Sequence, residues 1–492
     1  MNVAFLPLDA RPVTRGAFLA LARAAGIAVV TPPCSLLGDR RRPADVDALW
    51  GWIDAEAADA DLVIASAELL IYGGLVPSRI GSEPLDRCLA MSRRFTDLRH
   101  RNAGCGLLLS ASNLRLPPSP DASEEPEYWA DFGPRIFAYS YHADRYARTH
   151  DPSERALAAA AWAGIPEEIV ADVLARRERN LAVLLSLVDQ TADGGIDALL
   201  VGQDDAAEFG LTRRDLAAVE AAIADRGAGS RAWVTYGTDE LAVRLLARTW
   251  LAARRYRPAV RVIFAYPENR QAIPRYEGQA LDRTVSSHIA TAGCRRVEDG
   301  AELTLFVHNF PEAQLEAPDQ GAYDPAGLES FLDALRSAAH ARARLAIADV
   351  RYSNGGDITF VSRLLAAPRA YGTLAYGGWN TASNTLGMAL AQAILADGDA
   401  GERFTILRLL DDWGYQAGVR QRLAAEVVPR YPQAAPQNLG SALGPCAEAA
   451  RTWLANEYVP QLEHCFRRRI MLTRVGFPWQ RLFEVELDIA VA

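Results

Sequence analysis

Several signals of common binding chemistries are missing from this sequence of 492 residues. Its six cysteines are scattered and form no CxxC pair, which argues against a disulfide framework or a zinc ribbon and favours a reducing cytoplasm. No apolar run reaches the length of a membrane span, and the opening residues MNVAFLPLDARPV lack the basic and apolar regions of a signal peptide. These absences predict a cytoplasmic protein that does not enter the membrane.

Sequence signatures for nucleotides, metals and nucleophilic catalysis are also missing. No GxGxxG segment follows a strand-like run, and no Walker lysine occurs. The seven histidines form no HExxH or HxH, and no serine lies in a GxSxG segment. The net charge of −9 and the scattered arginines argue against nucleic acid as a partner. We therefore predict no cofactor, no bound zinc or iron, and no nucleic-acid partner.

What the sequence does contain is a repeated alternation of short apolar runs with helix-like stretches. Nearly continuous apolar runs are typical of strands that are buried on both faces of a parallel sheet. Their alternation with helical periodicity predicts a parallel α/β fold. The ten runs span residues 3–9, 27–33, 61–68, 106–112, 197–205, 231–240, 260–268, 303–309, 345–357 and 371–380.

Two architectures fit this alternation. Eight β/α units fit before about residue 340, which is the number in a TIM-barrel-like (β/α)8 fold, here with additional units and a helical C-terminal region. The alternative is two doubly wound, Rossmann-like lobes at roughly 1–116 and 197–397. We favour the barrel, because nearly every apolar run ends in polar residues and a barrel brings all its strand ends to one site.

Changes in composition divide the chain into four predicted segments. The first β/α units occupy 1–116, and a helical insertion at 117–195 opens with the Pro/Ser/Glu-rich loop PPSPDASEEPEYW. The remaining β/α units occupy 196–397 and carry two pairs of adjacent acids. The region 398–492 is predicted to be mostly helical.

The adjacent acids are the strongest sign of chemistry in the sequence. Asp204 and Asp205 follow the run LLVGQ, and Asp239 and Glu240 follow WVTYGT. An acid at a strand end often caps the next helix, and Asp239 is well placed for that role. Capping is less natural for Asp204 and Asp205, because the next helix is predicted to begin near Thr212.

Other polar residues also fall where the predicted strands end, which is the functional face of both architectures. They are candidates for binding a substrate through hydroxyl or charged groups, and a tryptophan among them suits stacking on a sugar or packing in the core. These candidates are Asp9, Arg11, Glu68, Arg79, Asn113, His308, Asn309, Asn354, Asp357, Trp379 and Asn380.

Paired carboxylates suit glycoside hydrolysis, in which one acid protonates the leaving oxygen while another group stabilises the anomeric centre. The segments YGTDE and GQDD resemble the adjacent-acid element of substrate-assisted β-N-acetylhexosaminidases. In that family the first acid orients the 2-acetamido group of the substrate, which is the nucleophile, and the second is the general acid. The resemblance implies that Asp239 orients the substrate and Glu240 is the general acid, with Asp204 and Asp205 binding hydroxyls or exchanging roles with them.

A second resemblance covers most of the chain. The segments PLDARPV, YGGLVPSR, GQDDAAEFG, GTDE, NGGD and YGGWNTASNTLG are similar to those of a family of uncharacterised bacterial proteins, a domain of unknown function. That family opens with PLDxRPV and carries GWNTxxNxLG near its end. One departure is Glu68, where an aspartate is expected before YGGL. The resemblance implies one shared polar pocket but no established activity.

The sequence leaves three hypotheses for function. The first, which we favour, is a glycoside hydrolase that removes N-acetylhexosaminides from chain ends by a substrate-assisted, retaining mechanism. The second is a sugar isomerase or hydrolase that uses a divalent metal bound by carboxylates. The third is a non-catalytic protein that binds a sugar or metabolite. All three take a small molecule as partner, and the sequence leaves open which sugar is bound and whether the chain forms a homo-oligomer.

Overall fold

The computed structural model of the protein describes residues 1–340, 344–367 and 374–492. Its strands are β1 (Asn2–Leu6), β2 (Ala28–Val30), β3 (Leu62–Ser66), β4 (Gly106–Asn113), β5 (Ala198–Gln203), β6 (Ala232–Tyr236), β7 (Ala259–Phe264), β8 (Arg295–Arg296), β9 (Leu303–His308), β10 (Leu315–Glu316), β11 (Arg344–Asp349), β12 (Tyr352–Ser353), β13 (Leu374–Gly377), β14 (Ile470–Gly476) and β15 (Glu486–Val491).

Helices of very different length separate these strands. They are α1 (Ala17–Ala24), α2 (Val46–Glu56), α3 (Ala67–Tyr72), α4 (Leu75–Ile80), α5 (Leu85–Arg101), α6 (Trp129–Thr149), α7 (Pro152–Trp162), α8 (Glu167–Ala192), α9 (Leu211–Asp225), α10 (Leu241–Ala253), α11 (Leu281–Thr291), α12 (Glu329–His340), α13 (Ile358–Leu365), α14 (Ala382–Leu395), α15 (Gly398–Arg408), α16 (Arg420–Arg422), α17 (Leu443–Trp453) and α18 (Val459–Phe466).

The described chain divides into two compact units. The first unit comprises Met1–Ala10, Ile27–Leu245 and Tyr276–Gln279. The second comprises Arg11–Gly26, Leu246–Arg275 and Ala280–Ala492. The chain therefore leaves the first unit after β1, and α1 belongs to the second.

The first unit contains a parallel sheet with the strand order β2-β1-β3-β4-β5-β6. Strands β3 and β5 are buried along their whole length, as expected for strands covered on both faces. The strand order reverses between β1 and β3, so the carboxyl ends of these strands flank a topological switch point. Ligands of open parallel sheets bind at such carboxyl ends, which is where the polar residues of this unit lie.

The second unit contains its own parallel sheet, with the order β13-β11-β9-β7-β8. The register of β9 and β11 places His308 opposite Asp349 at their carboxyl ends. Two short strands, β10 and β12, form a separate parallel pair, and β14 and β15 form an antiparallel hairpin.

The helical C-terminal part of the second unit contains widened turns. Helix α15 continues directly into a π-helical segment, Leu409–Val419, and a second such segment, Leu423–Val427, follows α16. A π-helical turn holds an extra residue and is frequent at functional positions. The acids Asp411 and Asp412 lie in the first of these segments.

Capping side chains fix several helix starts next to the sheets' carboxyl ends. Ser66, the last residue of β3, caps α3, and Thr381 caps α14. The carboxylate of Asp357 accepts hydrogen bonds from the first backbone amides of α13, at 2.9 and 3.2 Å. These oxygen atoms satisfy amides that the helix itself leaves without acceptors.

The predicted parallel β/α fold is confirmed, and each of the ten predicted runs contains an observed strand. The barrel is wrong for the described residues, whose large sheets are two open ones. Closure of a barrel requires the two outer strands of a sheet to pair, whereas β2 and β6 are the edges of the first sheet. The doubly wound alternative fits each sheet. Residues 371–373 of the tenth run lie outside the described residues.

Helices α6, α7 and α8 follow one another between β4 and β5, in the segment predicted as a helical insertion. The predicted boundaries near residues 116, 195 and 397 follow changes in element type and stay a prediction of domain organisation. Within the described ranges, no helix combines the length and apolar character needed to cross a bilayer.

Candidate functional site

All 52 basic residues of the chain are arginines, so every buried ion pair other than those of histidine or the N-terminus uses a guanidinium group. Arginine suits this role because its planar, permanently charged group can bind two carboxylates at once. Two polar clusters built in this way lie at strand ends, one in each unit. The first cluster consists of Glu68, Arg79, Arg115, Glu124, Glu125, Asp204 and Asp205.

The adjacent acids of the first cluster follow directly after β5. A buried amide pair holds this strand end, because Asn113 at the end of β4 donates to Gln203 at 2.7 Å and to the Thr212 carbonyl at 2.9 Å. A Cβ added at Gly202 would lie 2.2 Å from the Gly237 carbonyl oxygen. Glycine is therefore required there for the turn after β6 to approach β5 closely.

Two arginines connect the adjacent acids to the loop that precedes α6. Arg79 forms ion pairs with Asp204 and, at 2.6 Å, with Glu124. Arg115 binds Asp205 at 3.1 Å and Glu125 at 2.6 Å. The arginines thus lie between two acid pairs that are about 80 positions apart in the sequence.

A third arginine fixes the backbone of the same loop. Arg41 donates from Nη1 to the carbonyl oxygens of Ala122 and Glu125, at 2.8 and 2.9 Å. Three guanidinium groups therefore hold the Pro/Ser/Glu-rich loop against the carboxyl end of the first sheet. The composition of this segment predicts a loop, but it does not indicate which arginines bind the loop.

Burial decides the protonation of the first cluster's most perturbed acid. Asp204, Asp205, Glu124 and Glu125 lie around the guanidinium groups of Arg79 and Arg115. Burial, followed by repulsion from Asp204, raises the pKa of Asp205 to about 7, against the opposing effect of Arg115. The side chains of Asp204 and Asp205 are 16% and 21% exposed, which leaves both within reach of a ligand from solvent.

Glu68 is a buried acid beside this cluster. Burial raises its pKa to about 7, although its carboxylate accepts hydrogen bonds from the Ser112 amide at 2.5 Å and the Ser66 hydroxyl at 2.8 Å. The charge of Asp204 adds a smaller upward effect. Near neutral pH Glu68 can therefore hold a proton in the interior of the first unit.

The second predicted acid pair has a different environment. Glu240 is 1% exposed and accepts a hydrogen bond from Arg244, itself 0% exposed, at 3.1 Å. Burial raises the pKa of Glu240 to about 7, and Arg244 opposes the increase. Asp239 is buried immediately before α10. Glu240 thus forms an internal ion pair, whereas Asp205 reaches solvent.

The predicted site residues divide between the two units. The structure brings Glu68, Arg79, Asp204 and Asp205 together in the first cluster, with Asn113 supporting them. The other predicted residues of the first unit are Asp9, Asp239 and Glu240, and those of the second unit are Arg11, His308, Asn309, Asn354, Asp357, Trp379 and Asn380. The single shared pocket implied by the family resemblance stays a prediction.

The second cluster begins with a buried histidine–aspartate pair. His308 Nε2 lies 2.9 Å from Asp357, which also accepts a hydrogen bond from Tyr323 at 2.6 Å. Next to them, burial raises the pKa of Asp349 to about 6. Asn309 binds both backbone groups of Tyr266, at 2.8 and 2.9 Å, which indicates a structural role for its amide.

Three polar segments of the second unit interlock around Asp412. Its carbonyl accepts from the Gly356 amide and its side chain accepts from the Gly378 amide, both at 2.8 Å. Asn354 and Asn380 adopt positive φ of 62° and 67°, and the Asn354 amide donates to the Asn380 carbonyl at 2.9 Å. Hydrogen bonds thus join the segments NGGD (354–357), GGWN (377–380) and DDWGYQ (411–416), although these segments are far apart in the sequence.

The neighbouring acid Asp411 is 14% exposed, and burial raises its pKa to about 7 while Arg408, 3.1 Å away, opposes the increase. Trp379 is buried and its ring lies 5.6 Å from Phe483, so packing in the core accounts for most of its surface.

Two members of the first cluster did not stand out as site residues in the sequence. Glu124 and Glu125 lie in a loop of low-complexity composition. The polar positions of Arg115, after a strand, and of Asp411, in the helical C-terminal region, were visible in the sequence. Among the described residues, no group of three or more His, Cys, Asp or Glu side chains is placed to hold a metal ion.

Comparison with models of protein families identifies the family of the chain. A family model described as "Protein of unknown function (DUF4127)" matches residues 3–488, and the chain belongs to that family. The expectation of an uncharacterised family is thereby confirmed. No curated protein matches the chain.

Proposed function

We propose that the protein is a glycoside hydrolase that releases N-acetylhexosaminides from chain ends by a substrate-assisted, retaining mechanism. The observation that carries the proposal is the adjacent pair after β5. Asp204 and Asp205 are partly exposed, are held by two arginines, and include one acid whose pKa is raised to about 7. This is the combination that a general acid working near neutral pH requires.

The roles of the pair follow from their different environments. Asp205 is the general acid, because at neutral pH it keeps a proton that it can give to the leaving oxygen. Asp204 orients the 2-acetamido group, whose oxygen attacks the anomeric carbon. Arg79 and Arg115 fix both carboxylates from the protein side, which leaves their partly exposed faces for substrate.

The geometry favours Asp205 over Glu240 as the acid. A general acid must come within hydrogen-bond distance of the leaving oxygen. Glu240 is 1% exposed and turned towards Arg244, so a substrate could reach it only after that ion pair separates. Glu240 therefore supports the fold at the start of α10 in this proposal.

The test compares two classes of leaving group. A nitrophenolate leaves with little help from an acid, whereas the oxygen of a second sugar must be protonated. We expect Asp205→Asn to lower kcat by about 10²–10⁴ on an N-acetylhexosamine disaccharide and much less on the nitrophenyl glycoside. Asp204→Asn should lower kcat on both substrates, because the nucleophile loses its orienting group.

Glu208→Gln is the matched control, since Glu208 is an exposed acid in the same loop. It should leave both rates unchanged. If Asp205→Asn lowers kcat equally on the disaccharide and on the nitrophenyl glycoside, Asp205 is not the general acid. Absence of turnover on the gluco- and galacto-configured substrates of both classes would refute the proposed function.

A further inference from the structure

The second unit contains a group of arginines beside aromatic rings that the proposed hydrolase does not use. We name it the aromatic–arginine cluster, and it consists of Arg11, Arg420, Arg481, Glu484, Trp379, Trp479 and Phe483. Two of its arginines, Arg11 and Arg481, bind Glu484, and the third is Arg420.

Glu484 is fully engaged by two of the arginines. Arg481 binds it in a bidentate manner, at 2.5 and 2.6 Å, and Arg11 binds it at 3.2 Å. Both guanidinium groups also lie 4.8 Å from the ring of Trp479. Trp479 has a positive φ of 55°, so the loop holds this ring in place at some cost in backbone strain.

Arg420 has no such carboxylate partner. It donates to the neutral side chain of Gln416 at 2.8 Å, and its guanidinium lies 5.0 Å from the ring of Phe483. Among the described residues no carboxylate forms an ion pair with Arg420. The acids whose charge reaches it are Glu316 and Glu484, and Glu316 is 3.4 Å from Arg275.

Phe483 brings the donors of the cluster together. The guanidinium of Arg481 lies 5.3 Å from the Phe483 ring, much as that of Arg420 does, and the Trp379 ring lies 5.6 Å from the Phe483 ring. Trp379 is 5% exposed, and within the described part of the chain its indole N–H has no acceptor. Buried donors normally have an acceptor, because an unsatisfied one is costly.

These observations share one chemical requirement. An incompletely paired guanidinium favours a negatively charged acceptor, and a buried indole N–H needs an acceptor oxygen. One oxyanion can meet both needs, and the adjacent aromatic ring offers an apolar surface. Another acid of the second unit, Asp411, is already bound by Arg408 and by Gln416. It therefore does not supply the negative charge that Arg420 lacks.

We propose that the aromatic–arginine cluster binds the oxyanion group of a small sugar-like ligand, with Arg420 as its main cation and Phe483 beneath its ring. The ligand class is a sugar with a carboxylate or a phosphate substituent, since both present several acceptor oxygens to arginine. This inference stands independently of the proposed hydrolase, because binding at this site requires no turnover.

The test measures binding to the whole chain by isothermal titration calorimetry. The probes are glucuronate, glucose 6-phosphate, inorganic phosphate and neutral glucose. We expect at least one charged sugar to bind about tenfold more tightly than glucose, and also more tightly than inorganic phosphate because of the ring contact. The preferred probe identifies the carboxylate or the phosphate as the anion.

Two substitutions separate a binding role from a structural one. Arg420→Gln should weaken binding of the charged probe by about tenfold or more, and Arg420→Lys should recover part of the lost affinity. Arg422→Gln is the matched control, because Arg422 lies on the same helix and is bound by Glu457 at 2.8 Å. It should bind the probe as the wild type does.

The melting temperature without ligand completes the test. Since Arg420→Gln removes an incompletely paired and partly buried charge, we expect it to leave the melting temperature unchanged or higher. Equal binding of charged and neutral sugars, equal weakening by Arg422→Gln, or a large fall in melting temperature in Arg420→Gln would overturn the proposal.

Discussion

The buried acid Glu68 gives a quantitative prediction that does not depend on any assigned function. Burial raises its pKa from 4.5 to about 7 in the folded chain. The unfolded chain therefore releases this proton near pH 4.5, whereas the folded chain keeps it until about pH 7. Folding is coupled to proton uptake in this window, so this group's contribution to stability is fully present below pH 4.5 and is lost as the pH rises through 7.

The size of the effect follows from the two pKa values. One pKa unit corresponds to about 1.4 kcal/mol, so the free energy of unfolding should fall by roughly 2–3 kcal/mol between pH 5 and pH 8 because of Glu68. Glu68→Gln removes the titration and keeps an acceptor for the Ser112 amide and a partner for the Ser66 hydroxyl. The variant should therefore gain stability relative to the wild type as the pH rises.

The assay is urea denaturation of wild type and variant at pH 5, 6, 7 and 8, read by circular dichroism. The quantity of interest is the difference between the two proteins at each pH, in which the contributions of other titrating groups cancel. Glu208→Gln, which makes the same substitution at an exposed acid, is the control for the effect of the substitution itself. A constant difference for Glu68→Gln would show that Glu68 is ionised in the folded state and would refute the reasoning.

Three shorter predictions concern the rest of the first unit. Arg244→Leu removes the guanidinium that binds buried Glu240 and should cost about 3–5 kcal/mol of stability in urea denaturation, most of it restored when Glu240→Leu is added. Gly202→Ala places a Cβ against a backbone oxygen at 2.2 Å, so we expect a clear fall in melting temperature. Arg115→Gln removes a cation that lowers the pKa of Asp205, so the alkaline limb of hydrolase activity should move to higher pH in a pH–rate profile.

The strands could be predicted from the sequence because their signal is local. A strand that is buried on both faces needs mostly apolar side chains, whichever strands lie beside it. The run 197–205 therefore shows its strand in its own composition. Which strands become neighbours is decided by contacts between distant segments, and no run contains that information. This is why the ten runs were located correctly while the barrel, which depends on pairing, was wrong for the described residues.

The candidate site shows the same limit. Asp204 and Asp205 were visible because they directly follow an apolar run and no helix is predicted to begin beside them. Glu124 and Glu125 could not be recognised, since their role depends on Arg79 and Arg115 and thus on how the loop folds back. Glu240 satisfied the same pattern as Asp205, and only its burial against Arg244 distinguishes the two.

Burial and pairing offer a physical criterion for separating structure from function in this chain. Glu240 and Arg244 bind each other, and both side chains are shielded from solvent. A buried ion pair of this kind suits a structural role.

Each of the two clusters proposed as binding sites contains one group that sets its chemistry. In the first cluster, burial and repulsion from Asp204 raise the pKa of Asp205 to about 7, so this acid can retain a proton. In the aromatic–arginine cluster, no carboxylate of the described residues forms an ion pair with Arg420, and arginine does not lose its proton near neutral pH. A proton neutralises Asp205, whereas an anion from outside the chain would pair with Arg420. The first is therefore suited to proton transfer and the second to recognition of a negatively charged ligand.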